Sequence, residues 1–443
     1  MFPHTPYRSP ILRIALPAIV SNIIVPLLGL ADTAIVGHLG SPAYIGAIAV
    51  GGMLFNLIYW SFAFLRMGTS GLTAQAYGRN DTLGQNRLLL HVLGIGLMLS
   101  VLLIACSRPL ADLAFRFIQS TAEVEELARR YFYIGVWGAP AMLSLYGLTG
   151  WFIGMQNTRY PMLIAIGQNI VNILCSLTFV YALGMGIEGV ASGTVVAQYA
   201  GLLFGIACWR HGFSGRSLRM PLRSLADGTQ LTRFFRINGD IFLRTLCLVA
   251  VTTFFTAAGA RFGNVTLAVN ALLMQLFLLF SYVMDGFAYA GEALSGRFAG
   301  AADYTSLRRT VRRLFGWGAG LTVCFSLAYA CGFDAILFLL TDDRSVCQAA
   351  REFRLWTLCI PIAGCAAFLF DGIFIGLTAT RAMLLAMSVA MLVFFSLYGM
   401  LADTWGNHAL WCAFVAYLAV RGLVEAIVYF IILPCKSKAE PIF

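Results

Sequence analysis

Nine ionisable side chains, Asp32, Arg66, Asp240, Arg244, Asp285, Glu292, Asp371, Arg421 and Glu425, stand inside long apolar runs of a 443-residue chain. A charge at the centre of a membrane helix costs on the order of 2.5–3.5 kcal/mol even on the lenient insertion scale, so each is a functional candidate. Asp32 is the most telling of them. It follows Pro26 by six residues, and a proline removes a backbone donor and clashes with the preceding turn, so a bend or switchable hinge beside the acid is expected. Neutralising an aspartate at pH 7 takes about 4 kcal/mol, close to the cost of holding its charge in the membrane. Such a carboxyl is poised to load and release protons as its hydration changes; the alternative is a structural acid hydrogen-bonded to neighbouring helices.

Asn169, Asn172 and Ser176 follow i, i+3, i+7 spacing and line one helical face. This polar stripe is expected either to meet Asp32 or to serve as hydrogen-bond glue between packed helices. In the second half, Asp240 and Arg244 sit four residues apart and invite pairing. Asp285, Glu292 and Asp371 lie deeper, with Arg244 or Arg66 available to neutralise one of them. Arg421 and Glu425 are also i, i+4 neighbours and read as a structural pair.

The elements that carry these residues follow from composition. Hydrophobic residues make up 60% of the chain and charged ones 11%, with a mean hydropathy of +0.81; an ordinary soluble domain has about 45–50% and 25%. This is a membrane protein, and a cytosolic enzyme is excluded. A span needs roughly 20 apolar residues, and twelve segments qualify: 12–37, 43–75, 86–106, 128–154, 160–183, 188–209, 238–260, 266–295, 314–340, 352–376, 382–402 and 408–433. The first reads as an uncleaved span, since Arg8 and Arg13 precede it without a small-residue cleavage site. Placing the N-terminus inside puts 19 of the 30 bases on cytoplasmic segments and eight outside, which favours both termini in the cytoplasm. The net charge of +10 suits loops facing anionic lipid better than nucleic acid.

Other motifs are decoys. Gly184-Met-Gly186-Ile-Glu-Gly189 fits GxGxxG but lacks a preceding strand. Asn264-Val-Thr266 fits a glycosylation acceptor without a secretory context. The eleven Cys residues form no CxxC, and His4, His38, His91, His211 and His408 are too dispersed to bind metal.

The longest polar connection, 210–237, divides the spans six and six, giving an N-lobe (1–209) and a C-lobe (238–443). Phe152-Ile-Gly154-Met-Gln-Asn-Thr158-Arg159 matches Phe374-Ile-Gly376-Leu-Thr-Ala-Thr380-Arg381 at an offset of 222, half the chain. Pro140 and Pro361 precede the two copies, and Leu39-Gly40 aligns with Phe262-Gly263. Six spans per half keep both copies in the same orientation. The fold class is therefore an all-α polytopic membrane protein with twelve transmembrane helices in two six-helix lobes. A pseudo-two-fold axis along the membrane normal relates them, as in one class of secondary transporters; a duplicated channel subunit is the alternative.

The first span, Ala15-Leu-Pro17-Ala-Ile-Val-Ser21-Asn22 continued by Val25-Pro26-Leu-Leu-Gly-Leu-Ala-Asp32-Thr33-Ala-Ile-Val-Gly37, resembles the first helix of the MATE (multidrug and toxic compound extrusion) family. Further matches are Leu65-Arg66-Met67-Gly68-Thr69-Ser70-Gly71, Asn238-Gly-Asp240-Ile-Phe-Leu-Arg244, Ala268-Val-Asn270-Ala271, Asp285-Gly-Phe-Ala-Tyr289 and Asp371-Gly-Ile-Phe-Ile-Gly376. Together they look like the DinF subgroup. The resemblance spans the chain and implies a cation-coupled exporter of bulky, often cationic organic compounds. Carried over, it puts the family's first-helix acid on Asp32, its fifth-helix Asn positions on Asn169 and Asn172, and its sixth-helix Thr on Thr194. The expected C-lobe polar group comprises Asp240, Arg244, Asn270, Asp285, Glu292 and Asp371. Many relatives carry an Asp where Ser176 stands. That leaves Asp32 without a carboxylate partner and favours a proton over sodium as the coupling ion, since hard cations want several charged oxygen ligands.

The expectation is a proton-coupled multidrug antiporter in a bacterial-type inner membrane. It has no cofactor, small organic substrates, the lipid bilayer as its surroundings, no nucleic-acid partner, and acts as a monomer. A lipid or lipid-linked-sugar flippase, favouring a cationic cavity, is the runner-up. An intramembrane enzyme, which needs a nucleophile and base or a metal cluster, is a distant third.

Overall fold

The computed structural model describes residues 9–37, 41–118, 121–213 and 228–438. His4, Arg8, His38, Leu39, Gly40, Arg216, Arg219 and Arg223, used in the sequence reading, lie outside the described residues. Those described form an all-helical protein. Helix α1 is Pro10–Gly37, α2 Pro42–Ser61, α3 Phe64–Gly78, α4 Thr82–Ala105, α5 Ser107–Phe117, α6 Ala122–Gly135, α7 Ala139–Gly154, α8 Arg159–Leu177 and α9 Gly186–Gly212. The second half contains α10 Gly228–Ala260, α11 Asn264–Gly300, α12 Tyr304–Leu340, α13 Arg344–Ala350, α14 Arg354–Gly376, α15 Thr380–Trp405 and α16 Asn407–Lys438. The anticipated connection 210–237 is narrower at both ends, because α9 runs to Gly212 and α10 starts at Gly228.

Local chemistry sets the helix starts. Ser41 accepts from the Ala43 amide ahead of Pro42, and Asp81, Thr121, Asp303 and Asp343 each accept backbone N–H groups of the following turn. These caps satisfy donors that a helix leaves orphaned. The third glycine of the GxGxxG decoy, Gly189, lies inside α9, and the other two, Gly184 and Gly186, take φ of 66° and 59° where the chain enters that helix. Side chains rarely tolerate that region.

Among the described residues, eleven helical segments are long and apolar enough to cross a membrane. The twelfth expected span, 128–154, is present as α6, a 3₁₀ turn at Val136–Gly138, and α7. Twelve of the sixteen α7 residues are buried, among them Gly147, Gly150, Gly154 and Ser144. The 3₁₀ turn divides this span into helices of 14 and 16 residues, and its buried glycines allow close helix packing. Two further departures are a break at residues 62–63, which divides the expected 43–75 span into α2 and α3, and the amphipathic α5, which no span anticipated.

The chain forms two compact units, Leu16–Asn238, and Gly239–Phe443 with Met1–Ala15. In the first, α7 is packed by α3, α4 and α9, and α8 pairs with α9. In the second, α14 is packed by α11, α12 and α16, and α15 pairs with α16. The correspondence extends to single atoms at an offset of 222. Gly150 lies against the backbone carbonyl of Arg66, and Gly372 against that of Ala288; Gly154 abuts Ser70, Thr73 and Ala74, and Gly376 abuts Glu292, Ser295 and Gly296. Among the described residues, the non-glycine residues with left-handed backbone are Asn80 and Ala302, Gln156 and Thr378. Arg129 pairs with Asp112 at 2.7 Å, and Arg351 with Asp334 at 2.9 Å.

A methyl at Gly372 would collide with the backbone of Ala288. Gly372→Val is expected to destabilise the protein by about 3 kcal/mol or more, the upper range for overpacking. Gly239→Ala, with open space around it, should leave the melting temperature in detergent almost unchanged.

Candidate functional site

In the first unit, α1 carries Pro17 and Pro26 within a continuous helix and presents Asp32 to the interior, 4% exposed. From α8, the Asn172 amide donates to Thr194 Oγ1 at 2.9 Å. From α9, Thr194 Oγ1 stands 3.4 Å from Asp32 Oδ2 and 3.0 Å from the Val190 carbonyl of its own helix. A hydroxyl has one proton, so Thr194 donates either to the carboxylate or to Val190. In the second case it can accept from a protonated Asp32. The other oxygen, Asp32 Oδ1, has no hydrogen-bond partner among the described residues.

Two neighbours escaped the sequence reading. Tyr131, buried on α6, faces Thr194 and Asp32. After α8 the helix widens into a π-turn at Thr178–Ala182, and Tyr181 from this turn donates to the Ile35 carbonyl of α1 at 3.0 Å. The π-turn therefore ties α8 to the turn of α1 that holds Asp32; such turns recur at functional sites. No local spacing signals either contact.

The α8 stripe is only partly assembled. Asn172 joins the Asp32 group, whereas Asn169 donates to Ala165 of its own helix at 3.0 Å. Ser176 is fully buried where α8 meets Gly193 of α9, so it serves the close approach of two helices.

In the second unit the expected polar group is dispersed, and that expectation is corrected. Asp371 on α14 binds Arg244 of α10 and lies 3.3 Å from Arg421 of α16. Glu425, one turn beyond Arg421 and fully buried, faces the same carboxylate. Arg421 also lies over Phe368 and Tyr417, 5.4 and 6.0 Å from the ring centres. Two guanidinium and two carboxyl groups thus share one buried site, and the Arg421–Glu425 pair belongs to it. Asp240 does not pair with Arg244; it accepts from Thr380 at 2.8 Å. Asn270 forms a reciprocal amide pair with Asn407, at 2.8 and 2.9 Å, and accepts from Trp411. It lies 22 residues before the buried Glu292 on α11, about 33 Å along the helix. Asp285 accepts from Ser281 one turn earlier. One long helix cannot bring groups so far apart together.

Residues 17–178 and 241–398 match the MatE family model, covering most of the chain in two successive copies. The DNA damage-inducible protein F of Escherichia coli strain K12 is 39% identical over 94% of this chain and 91% of its own length. The chain belongs to the MATE family, in its DinF subgroup. Protein DETOXIFICATION 44, chloroplastic, of Arabidopsis thaliana is 26% identical over 93% of this chain and 80% of its own. A solved structure titled MATE in the bent conformation superposes with a TM-score of 0.88 at 20% identity, covering 97% of this chain and 96% of that one, which gives this MATE protein the same fold. Secondary active multidrug transport is the activity of the family. The membership sets aside an intramembrane enzyme and makes the protein a multi-pass transporter of small organic compounds. Among the described residues no cluster of three or more His, Cys, Asp or Glu is placed to hold a metal.

Proposed function

We propose that this MATE transporter exports organic cations in exchange for protons, with Asp32 as the carboxyl that alternates between proton and substrate. The supporting observation is a buried carboxylate with one oxygen on a hydroxyl that can reverse its hydrogen bond and the other without a partner. Protonation removes the cost of a buried charge. Thr194 then turns to Val190, and α1, weakened at Pro26, is free to bend and displace the compound. Loss of the proton on the other side restores the charge and the attraction for a cation.

Ser176 supplies no second carboxylate beside Asp32, so the oxygen-rich, charged coordination that sodium needs is missing. The flippase alternative calls for a cationic central cavity, for which the sequence offers Arg66 and Arg244, and Arg244 is engaged with Asp371. The working topology has lobes 1–209 and 238–443, with both termini and the connection 210–237 in the cytoplasm, acting as a monomer in a bacterial inner membrane. In proteoliposomes, ethidium transport should follow an imposed pH gradient and be unaffected by an equal sodium gradient. Transport driven by sodium alone would reverse the assignment of the coupling ion.

A further inference from the structure

The second unit has a groove that the transport site does not use. Glu352, Leu355, Trp356 and Cys359 follow i, i+3, i+4, i+7 spacing across the 3₁₀ turn and the start of α14, forming one wall. Trp405, at the end of α15, and His408, after the Gly406 turn, form the other. The space is about 500 Å³, within the range of small-molecule sites.

Its chemistry is one-sided. The Trp356 indole N–H donates to His408 Nδ1 at 3.0 Å, and His408 stacks on Phe353 with ring centres 4.5 Å apart. Trp356 is therefore held in place and offers the groove its ring. Glu352 is the only carboxylate in the lining. Among the described residues Glu352 has no ion-pair partner. Its neighbours Arg351 and Arg354 turn away to Asp334 and to the Ala330 carbonyl. Two indoles and an unpaired carboxylate around a cavity match an organic ammonium ion, which gains from the ring faces and from the charge together.

We propose that this groove binds a small organic cation carrying an ammonium group, at a site separate from Asp32. The proposal rests on the groove alone and is independent of how transport is coupled. The test is equilibrium binding of radiolabelled choline to the full chain in phosphatidylglycerol nanodiscs. It compares the wild type, Asp32→Asn, Glu352→Gln and Trp405→Leu, with the folded state of each verified by thermal melting. A saturable component should survive Asp32→Asn and weaken about tenfold in both Glu352→Gln and Trp405→Leu. Uncharged 3,3-dimethylbutan-1-ol, which has the same shape, should compete at least about tenfold less well than unlabelled choline. Equal competition by the alcohol, or a component indifferent to both groove variants, would overturn the proposal. Loss of the component in phosphatidylethanolamine nanodiscs would also overturn it, by assigning the groove to the lipid headgroup amine.

Discussion

Asp32→Asn should abolish ethidium export driven by a pH gradient, to the leak of protein-free vesicles, while leaving the protein folded and inserted. The substitution keeps shape and an acceptor for Thr194 but is permanently neutral. Removing a buried charge also removes its burial cost, on the order of 2.5–3.5 kcal/mol on the insertion scale, so the melting temperature should stay the same or rise. What is lost is alternation: the hydroxyl of Thr194 no longer has a partner whose charge changes, and α1 receives no signal near Pro26. Full pH-driven export by a folded Asp32→Asn protein would remove Asp32 from the mechanism. Failure to fold would support a structural acid instead.

Arg421→Met is expected to destabilise the second unit by about 3–5 kcal/mol, the usual cost of stripping one partner from a buried ionic group. Methionine retains part of the packing against Phe368 and Tyr417 but leaves Asp371 and Glu425 with Arg244 alone. Adding Glu425→Gln to Arg421→Met should recover at least half of the loss, because the remaining Arg244–Asp371 pair is balanced. Thermal unfolding of the two single variants and the double variant measures this. Simple additivity would mean that the four groups are not coupled.

Both predictions rest on contacts that differ in how far the sequence reveals them. Hydrophobic runs and the 222-residue echo of Phe152–Arg159 at Phe374–Arg381 mark the spans and the duplication. The duplication proves stricter than the matched letters suggest, since Asn80 and Ala302 share a left-handed backbone without sharing a side chain. Asp32 is legible as an acid in an apolar run, Asn172 from the α8 stripe and Thr194 through the family resemblance, and the structure brings them together. Asn169 and Ser176 share the stripe but not the contact, because helical spacing shows which face a residue occupies, not what stands opposite. The same limit hides Tyr131 and the reach of Tyr181 to Ile35. In the second unit, i, i+4 spacing suggests Asp240–Arg244 and Arg421–Glu425 as self-contained pairs. Arg244 and Arg421 instead meet on Asp371 of a third helix, 127 and 50 residues away.

The central claim is that one carboxyl, Asp32, gives up a proton when substrate binds. Ethidium added to purified protein in weakly buffered detergent solution, with the change in proton concentration followed by an indicator dye, tests it directly. The wild type should release a proton as ethidium binds, the release should vary with pH as a single titrating group, and Asp32→Asn should release none. Equal proton release by wild type and Asp32→Asn, or ethidium binding to the wild type without proton release at any pH, would contradict the account.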